Sequence, residues 1–271
     1  MKMLTYTFCH IEGIGCSAER LLWKHGIIHW NDYERVGGYF FSSHKDARIR
    51  ERLQESRTAL QNQDANYFLK KLPLTEHVRI LPDFCDKMVF LDIETTGLFI
   101  SDEITSIILY DGRTIKAYIK DKNFQTFPAD IQKYSVLITY NGKKFDLPFL
   151  RRTFGLPLTQ AHVDLYPVLR ASGYRGGLKS CESQMGIRRE KEADFTGQDA
   201  VILWHQYQAH KDMQALRSLL RYNAQDALSL QTLMVKTYNL CMQHCPVFEP
   251  ISQPVQPDLR QNLIFSSLQV S

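Results

Sequence analysis

Apolar residues at helical spacing characterise the first 75 residues of the chain. Residues 17–25 form a short helical pattern that Gly26 ends, because glycine readily takes the left-handed conformation that follows a helix. A longer pattern over 43–71 predicts one helix with Ser43 as N-cap and Pro73 beyond its end. The apolar positions of this pattern are Ile49, Leu53, Leu60, Tyr67 and Phe68. We therefore expect a mainly helical N-terminal extension.

Short apolar runs alternate with helical patterns from residue 74 onwards. The predicted strands are 77–80, 88–92, 104–110, 114–119, 136–140 and a short run that ends at Val163. The predicted helices cover 128–134, 145–154, 165–171, 177–185, 197–209 and 213–242. Asp111-Gly112 marks a hairpin turn between two of the strands. This order predicts an α/β fold with a mixed, five- to six-stranded sheet flanked by helices.

Proline and glutamine accumulate in the last 26 residues, which is typical of an extended tail. Leu263-Ile264-Phe265 is apolar enough to dock on a surface, but the sequence identifies no protein partner for it. The predicted organisation is a helical extension over 1–75, an α/β domain over 76–242 and a Pro/Gln-rich tail over 243–271.

Composition is that of an ordinary globular protein. The chain has 271 residues, 44% of them hydrophobic, and a formal net charge of +4, which excludes a wholly disordered protein. No run of about 18 apolar residues is present, so neither a transmembrane helix nor a membrane partner is expected. Residues 1–15 lack the apolar core of a signal peptide, which predicts a cytoplasmic protein. The six cysteines are expected to be reduced structural thiols, and Cys241, His244 and Cys245 offer at most half of a zinc site.

The most informative pattern is an apolar strand that carries two carboxylates, Asp92 and Glu94. Residues two apart on a strand project from the same face. Two acids this close repel each other unless a cation neutralises them, and carboxylate oxygens suit Mg²⁺ or Mn²⁺. Taken alone, the pair is more typical of a solvated strand end than of a metal site.

Further acids follow on predicted helices. Asp146 opens a helix, where it could act only as an N-cap. Tyr222 and Asp226 are four residues apart, hence on one helix face, where they could form only a polar stripe. Asp164 precedes the helix predicted at 165–171, and a capping role is favoured there over that of a metal ligand.

The order and spacing of these acids resemble those of the DEDD exonuclease superfamily, the DnaQ-like branch of the RNase H-like fold. The matching patterns are Asp92-x-Glu94, then Asn141 with Phe145-Asp146, and then Tyr222 four residues before Asp226. The tyrosine is similar to that of the DEDDy subgroup, and the middle pattern resembles the proofreading motif of B-family DNA polymerases. The bacterial YprB-like exonucleases are similar in further stretches, namely Gly177-Leu178-Lys179, Gly186-Ile187-x-Arg189, Leu203-Trp204, 222–230, 10–15 and Leu22-Trp23. The resemblance covers residues 8–240.

This resemblance implies an RNase H-like fold and hydrolysis of phosphodiesters with two divalent cations, Mg²⁺ or Mn²⁺. It implies that Asp92 holds both cations, that Glu94 and Asp226 hold the one beside the attacking water, and that Asp146 holds the other. Tyr222 would orient that water through its hydroxyl. All four carboxylate positions are present, which argues against an inactive relative.

The resemblance also implies contacts with substrate. Leu98, after Thr96, resembles the residue that wedges against the terminal base, while Asn141 and Phe145 resemble substrate-side contacts. Alternatives stay open, because Phe145 suits core packing and Asn141 suits a turn. Basic residues near the motifs could form a rim for a polyanion. They are Lys143, Lys144, Arg151, Arg152, Arg170, Arg175, Lys179, Arg188 and Arg189.

A glycine-rich segment, residues 11–15, precedes the first predicted helix and resembles a helix-hairpin-helix turn. Gly13 and Gly15 would then present backbone N–H groups to a phosphate. A complete unit needs a helix before Ile11, whereas residues 5–10 are more strand-like, so the glycines could instead only shape a tight turn.

Together these patterns predict a metal-dependent 3′→5′ exonuclease that acts on single-stranded or frayed DNA ends and releases 5′-mononucleotides. An exoribonuclease is the nearest alternative, and a structure-specific endonuclease or a nucleic-acid-binding subunit that needs a partner also stays open. Residues 91–240 contain 19 Lys+Arg and 16 Asp+Glu, so leaving out the four candidate ligands gives the rest of this region a charge of +7.

Overall fold

A computed structural model describes residues 2–36, 40–99, 101–189, 195–257 and 259. The chain divides into two compact units, the first containing Met1–Cys85 with Met234–Ser252 and the second Asp86–Leu233 with Gln253–Ser271. The boundaries proposed from the sequence, 75/76 and 242/243, stay predictions.

Helices build the described part of the first unit around buried aromatic side chains. The α-helices are α1 (Cys16–Lys24), α2 (Trp30–Val36), α3 (Ser43–Gln61), α4 (Ala65–Lys71) and α5 (Leu81–Phe84), with 3-10 helices at Leu4–Tyr6, Leu74–Ile80 and Cys85–Lys87. Phe8, Trp30, Tyr33 and Phe68 are fully buried here.

The single helix predicted over 43–71 is wrong, because two helices meet there. Gln63 has a positive φ of 53°, and the Asp64 side chain caps α4 by accepting the N–H of Tyr67 at 3.1 Å. Both features end one helix and start the next. The N-cap of α3 is Ser42 rather than Ser43, since the Ser42 hydroxyl accepts the N–H of Lys45.

Two strand predictions in the first unit are also wrong. Residues 77–80 belong to the 3-10 helix Leu74–Ile80, in which side chains three apart lie above one another. This places Glu76 beside the buried Arg79, whose Nε donates to Glu76 Oε2 at 2.6 Å. Residues 5–10, expected to be strand-like, form the end of the 3-10 helix Leu4–Tyr6 and turns.

A mixed five-stranded sheet forms the centre of the second unit. The strands are β1 (Met88–Thr95), β2 (Ile104–Tyr110), β3 (Ile115–Ile119), β4 (Val136–Thr139) and β5 (Ala161–Asp164), in the order β3-β2-β1-β4-β5. The pairs β1–β2 and β2–β3 are antiparallel, while β1–β4 and β4–β5 are parallel. Asp111 stabilises the predicted hairpin between β2 and β3 by accepting the N–H groups of Arg113 and Thr114.

Helices cover both faces of this sheet. They are α6 (Phe127–Ile131), α7 (Asp146–Phe154), α8 (Leu165–Ala171), α9 (Leu178–Gln184), α10 (Gly197–His210) and α11 (Met213–Met242), with a 3-10 helix at Phe124–Thr126. One core cluster packs residues of α6 and α7, such as Phe127 and Leu150, on Leu91 of β1. Another packs Trp204 of α10 and Leu216 of α11 beside β3. The predicted fold class, a mixed sheet flanked by helices, is confirmed.

The described tail residues 251–257 have no regular secondary structure. Gln256 nevertheless accepts a hydrogen bond from Gln225 and donates one to Thr232, both on α11. Leu263-Ile264-Phe265 lies outside the described residues. Among the helices that the structure describes, none combines the length and the apolar character that a membrane span requires.

Candidate active site

Strand alternation places Asp92 and Glu94 on one face of β1. Leu91 and Ile93 point to the other face and belong to the core cluster with α6 and α7. In the antiparallel register Glu94 lies opposite Ser106 of β2. Because Leu91 and Ile93 are buried on one face of β1, Asp92 and Glu94 are held on the other face, where α11 supplies Asp226.

Helix α11 adds the third carboxylate. Carboxylate oxygens of Asp92, Glu94 and Asp226 all lie within 4.8 Å of one another. Tyr222, one helical turn before Asp226, is 7% exposed and belongs to the core cluster with α10. The structure thus joins two of the sequence motifs into one site.

Asn223 of α11 bridges Asp92 of β1 and Ser106 of β2, a role that sequence reasoning missed. Its amide nitrogen donates to Asp92 Oδ2 at 2.6 Å, and its carbonyl oxygen accepts the Ser106 hydroxyl at 3.0 Å. Asn223 and Ser106 are both fully buried. Such a partner fixes the orientation of a carboxylate. The signal available in the sequence was that Asn223 is a polar residue at a position of α11 where an apolar residue would be expected.

Asp146 is the first residue of α7 and is 4% exposed. It is not one of the three mutually close carboxylates, but its negative charge acts on Asp92 and Glu94 and raises the pKa of each. Burial, with smaller contributions from Asp164 and Asp226, raises the pKa of Asp146 itself to about 7. The middle pattern, which contains Asp146, therefore contributes to the same group of interacting carboxylates.

The electrostatics of this cluster fit a divalent cation. Burial, followed by repulsion from the neighbouring carboxylates, raises the pKa values of Asp92 and Glu94 well above their ordinary range. Burial also raises the pKa of Asp226, to about 6. Burial and mutual repulsion destabilise the ionised carboxylates, and a bound cation would relieve both effects. Because the donors are all oxygens, the site suits hard cations such as Mg²⁺ or Mn²⁺.

Arg189 is a second residue whose place the sequence did not reveal. It was grouped with an exposed basic rim, but its side chain is only 8% exposed. Its guanidinium contacts Glu182 at 2.6 and 2.8 Å and lies 2.5 Å from Asp226 Oδ1. Arg189 therefore pairs with two carboxylates, one of them a candidate metal ligand. Its position after Gly186-Ile187 was the only signal in the sequence.

Lys179, at the start of α9, lies beside the candidate site. Its ammonium is 5.2 Å from the centre of the Tyr222 ring and donates to the carbonyl of Phe195. It lowers the pKa values of Glu94 and Asp226 against the larger effect of burial. Burial, with repulsion from the nearby carboxylates, raises the pKa of Tyr222. Tyr222 thus keeps its proton at neutral pH and can donate a hydrogen bond.

A cavity of about 890 Å³ opens next to Glu94. Thr96, Leu98 and Phe145 line it together with residues of α10 such as Ile202. Leu98 is 84% exposed, whereas Phe145 is partly buried against the core cluster with α7. Three of the residues expected to contact substrate therefore share one apolar cavity at the carboxylates.

The loop before α7 is organised by Asp164. Its carboxylate accepts the N–H of Asn141 at 2.7 Å and that of Lys143 at 3.1 Å. It also caps α8 by accepting the N–H of Tyr166, which confirms the capping role expected for it. Asn141 has a positive φ of 62°, which a short polar side chain tolerates. This loop sets where α7, and with it Asp146, begins.

Gly13 and Gly15 belong to the first unit. Gly13 has a positive φ of 83°, and its carbonyl accepts the Lys45 ammonium at 3.0 Å. Gly15 is the N-cap of α1 and provides no side-chain cap. Their predicted contact with phosphate stays a prediction.

The sheet order and the carboxylate site together define an RNase H-like nuclease domain. Residues 89–238, more than half of the chain, match the RNase_H superfamily, and the chain belongs to this family. Membership supports a nuclease that acts on nucleic acid, and nucleases with this fold typically use divalent metals.

Among solved structures, that of the family B DNA polymerase from the hyperthermophilic archaeon Pyrobaculum calidifontis is similar. The sequence identity is 17% and the TM-score 0.45, over 58% of this chain and 25% of the polymerase chain. The chain thus spans about a quarter of the length of that polymerase. No curated protein matches the chain.

Proposed function

We propose that the chain is a metal-dependent 3′→5′ exonuclease of the DEDDy subgroup, similar to the YprB-like exonucleases. It would act on single-stranded or frayed DNA ends and release 5′-mononucleotides. The observation that carries this proposal is the group of Asp92, Glu94 and Asp226, whose oxygens lie within 4.8 Å of one another, with Tyr222 one turn before Asp226.

In the proposed mechanism the four carboxylates divide two cations among them. Asp92 would hold both divalent cations, Glu94 and Asp226 the one beside the attacking water, and Asp146 the other. Bound there, two such cations activate water, polarise the phosphate and stabilise the leaving oxygen. Support for this arrangement comes from four carboxylates whose charges already act on one another.

Tyr222 would position the attacking water rather than remove its proton. The raised pKa of its hydroxyl favours the protonated form, which can donate to the water oxygen. Asn223 would keep Asp92 oriented, because it already donates to Asp92 Oδ2. Both residues lie on α11, so a single helix would align water and ligand.

The end of the substrate would occupy the cavity beside Glu94. The exposed Leu98 would contact the terminal base, since its side chain offers apolar surface at the cavity rim. Phe145 would contribute a ring to the same cavity, and Lys143 and Lys179 would neutralise phosphates. A 3′ end held in this way leaves the terminal phosphodiester next to the carboxylates.

The test uses DNA and RNA oligonucleotides labelled at the 5′ end and incubated with Mg²⁺ or Mn²⁺. The proposal expects a ladder of products shortened one nucleotide at a time, which chelation or Asp92→Asn abolishes. Asp121→Asn is the matched control, because Asp121 is an exposed aspartate of the same unit and this variant should keep full activity.

Other outcomes would contradict the proposal in distinct ways. Preferential shortening of RNA would identify an exoribonuclease, and one internal cut would identify a structure-specific endonuclease. Binding without hydrolysis under both cations would indicate a nucleic-acid-binding subunit. Activity that survives Asp92→Asn would exclude the two-cation mechanism.

A further inference from the structure

The first compact unit contains a cluster of thiols that the nuclease site does not use. The Sγ atoms of Cys9 and Cys16 and a carboxylate oxygen of Glu76 all lie within 4.8 Å of one another. Cys241 Sγ is 2.6 Å from Glu76 Oε2. These four side chains, the thiol cluster, come from three segments that are distant in the sequence.

The surroundings of the thiol cluster are buried and negatively charged. Arg79 is 3% exposed and donates to Glu76 at 2.6 Å and to Glu19 at 2.9 Å. Glu19 is fully buried and also accepts the N–H groups of Phe8 and Cys9. Two carboxylates therefore share one guanidinium, which leaves an excess negative charge beside the thiols. Such an environment favours a cation.

We propose that the thiol cluster binds one zinc ion. Three sulfur donors and one carboxylate oxygen form a soft, four-coordinate set, which zinc prefers over Mg²⁺ or Mn²⁺. Sulfur atoms in tetrahedral zinc sites are about 3.8 Å apart, as follows from Zn–S bonds of about 2.3 Å. The sulfur atoms of Cys9 and Cys16, which lie at most 4.8 Å apart, therefore need to close by about 1 Å at most. Cys241, which contacts Glu76, would supply the fourth donor.

The neighbouring groups also suit this ion. Three thiolates and Glu76 around Zn²⁺ carry a charge of about −2, and the buried Arg79, which donates to Glu76, is the cation beside them.

Zinc at this position would join both ends of the glycine-rich turn to the rest of the unit. Cys9 precedes the turn and Cys16 begins α1, while Glu76 lies on the 3-10 helix Leu74–Ile80 and Cys241 near the end of α11. Binding would therefore fix the loop that contains Gly13. Because ligands must lose their protons, binding would also weaken as the pH falls.

Metal binding by the full chain tests this proposal without reference to nuclease activity. Reduced, metal-stripped protein is titrated with Co²⁺, which absorbs through thiolate-to-metal charge transfer when sulfur coordinates it; carboxylate sites do not produce this band. We expect the band to saturate at one equivalent and to disappear when Zn²⁺ displaces Co²⁺. Cys16→Ser should weaken binding by at least about 100-fold, more than the loss of a residue that only supports a ligand.

The exposed Cys85, which lies outside the thiol cluster, provides the matched control. Cys85→Ser should bind Co²⁺ as the unchanged protein does. The proposal is overturned if the reduced protein shows no charge-transfer band, if Cys16→Ser keeps full affinity, or if Cys85→Ser abolishes the band. The first of these measurements needs no variant, so a folding defect in Cys16→Ser cannot hide a negative result.

Discussion

Replacing Asp146 with asparagine should change how the stability of the metal-free protein depends on pH. Asp146 is 4% exposed, and burial is the main reason why its pKa rises to about 7. Backbone hydrogen bonds at Ile93 and at Asp146 itself oppose this rise, while the charges of Asp164 and Asp226 add to it. Asparagine keeps the shape and the ability to accept hydrogen bonds, but it cannot ionise.

The size of the effect follows from linkage between protonation and folding. The carboxyl ionises near pH 7 in the folded chain and near pH 4 in the unfolded chain, so the folded form holds its proton more tightly. The protonated Asp146 carboxyl therefore makes its full contribution to the free energy of unfolding below about pH 4, and this contribution is lost as the pH rises through 7. Above pH 8, ionisation of Asp146 has lowered the free energy of unfolding by on the order of 4 kcal/mol. Asp146→Asn does not undergo this loss, because asparagine does not ionise.

Urea unfolding followed by circular dichroism at several pH values between 4 and 8, with a chelator present, measures this difference. The unchanged protein should lose stability with pH more steeply than Asp146→Asn, and saturating Mn²⁺ should reduce the difference. Asp121→Asn, which changes an exposed aspartate, should follow the unchanged protein. Equal pH slopes for all three proteins would refute the argument that burial of Asp146 is responsible.

Three further predictions concern the neighbours of the carboxylates. Tyr222→Phe should slow hydrolysis by about 10²–10⁴-fold, measured under single turnover, without abolishing it as loss of a carboxylate does. Arg189→Ala should lower the free energy of unfolding by about 3–5 kcal/mol, measured with urea, because Glu182 and Asp226 lose their shared partner. Asn223→Ala should weaken Mn²⁺ binding by about 10–100-fold in calorimetry, since it removes the hydrogen bond that orients a ligand.

Local rules of chain geometry explain why much of the site was predictable. The two-residue period of a strand puts Asp92 and Glu94 on one face, and the four-residue spacing on a helix aligns Tyr222 with Asp226. Neither relation depends on distant contacts. The hairpin at Asp111-Gly112 is equally local, because Asp111 bonds to N–H groups two and three residues later. These features could be read from the chain before any packing was known.

What could not be predicted depends on contacts between distant residues. Arg189 contacts Asp226, which is 37 residues away in the sequence, and Asn223 donates to Asp92, which is 131 residues away. An arginine in a basic stretch is more often exposed, so its burial beside two carboxylates has no local signature. Arg79 is similar, because it pairs with the distant Glu19 and lies in a 3-10 helix where the apolar pattern indicated a strand.

The two arginine clusters explain why we expect the proposed nuclease site in particular to depend on cations. In each cluster one buried guanidinium serves two carboxylates, Arg79 in the first unit and Arg189 in the second. The nuclease site adds three more carboxylates, which Arg189 cannot neutralise. The other residues of 91–240 carry a net charge of +7 and attract a polyanion, yet the carboxylates repel its phosphates. Divalent cations would remove that repulsion, so we expect metal binding and substrate binding to strengthen each other.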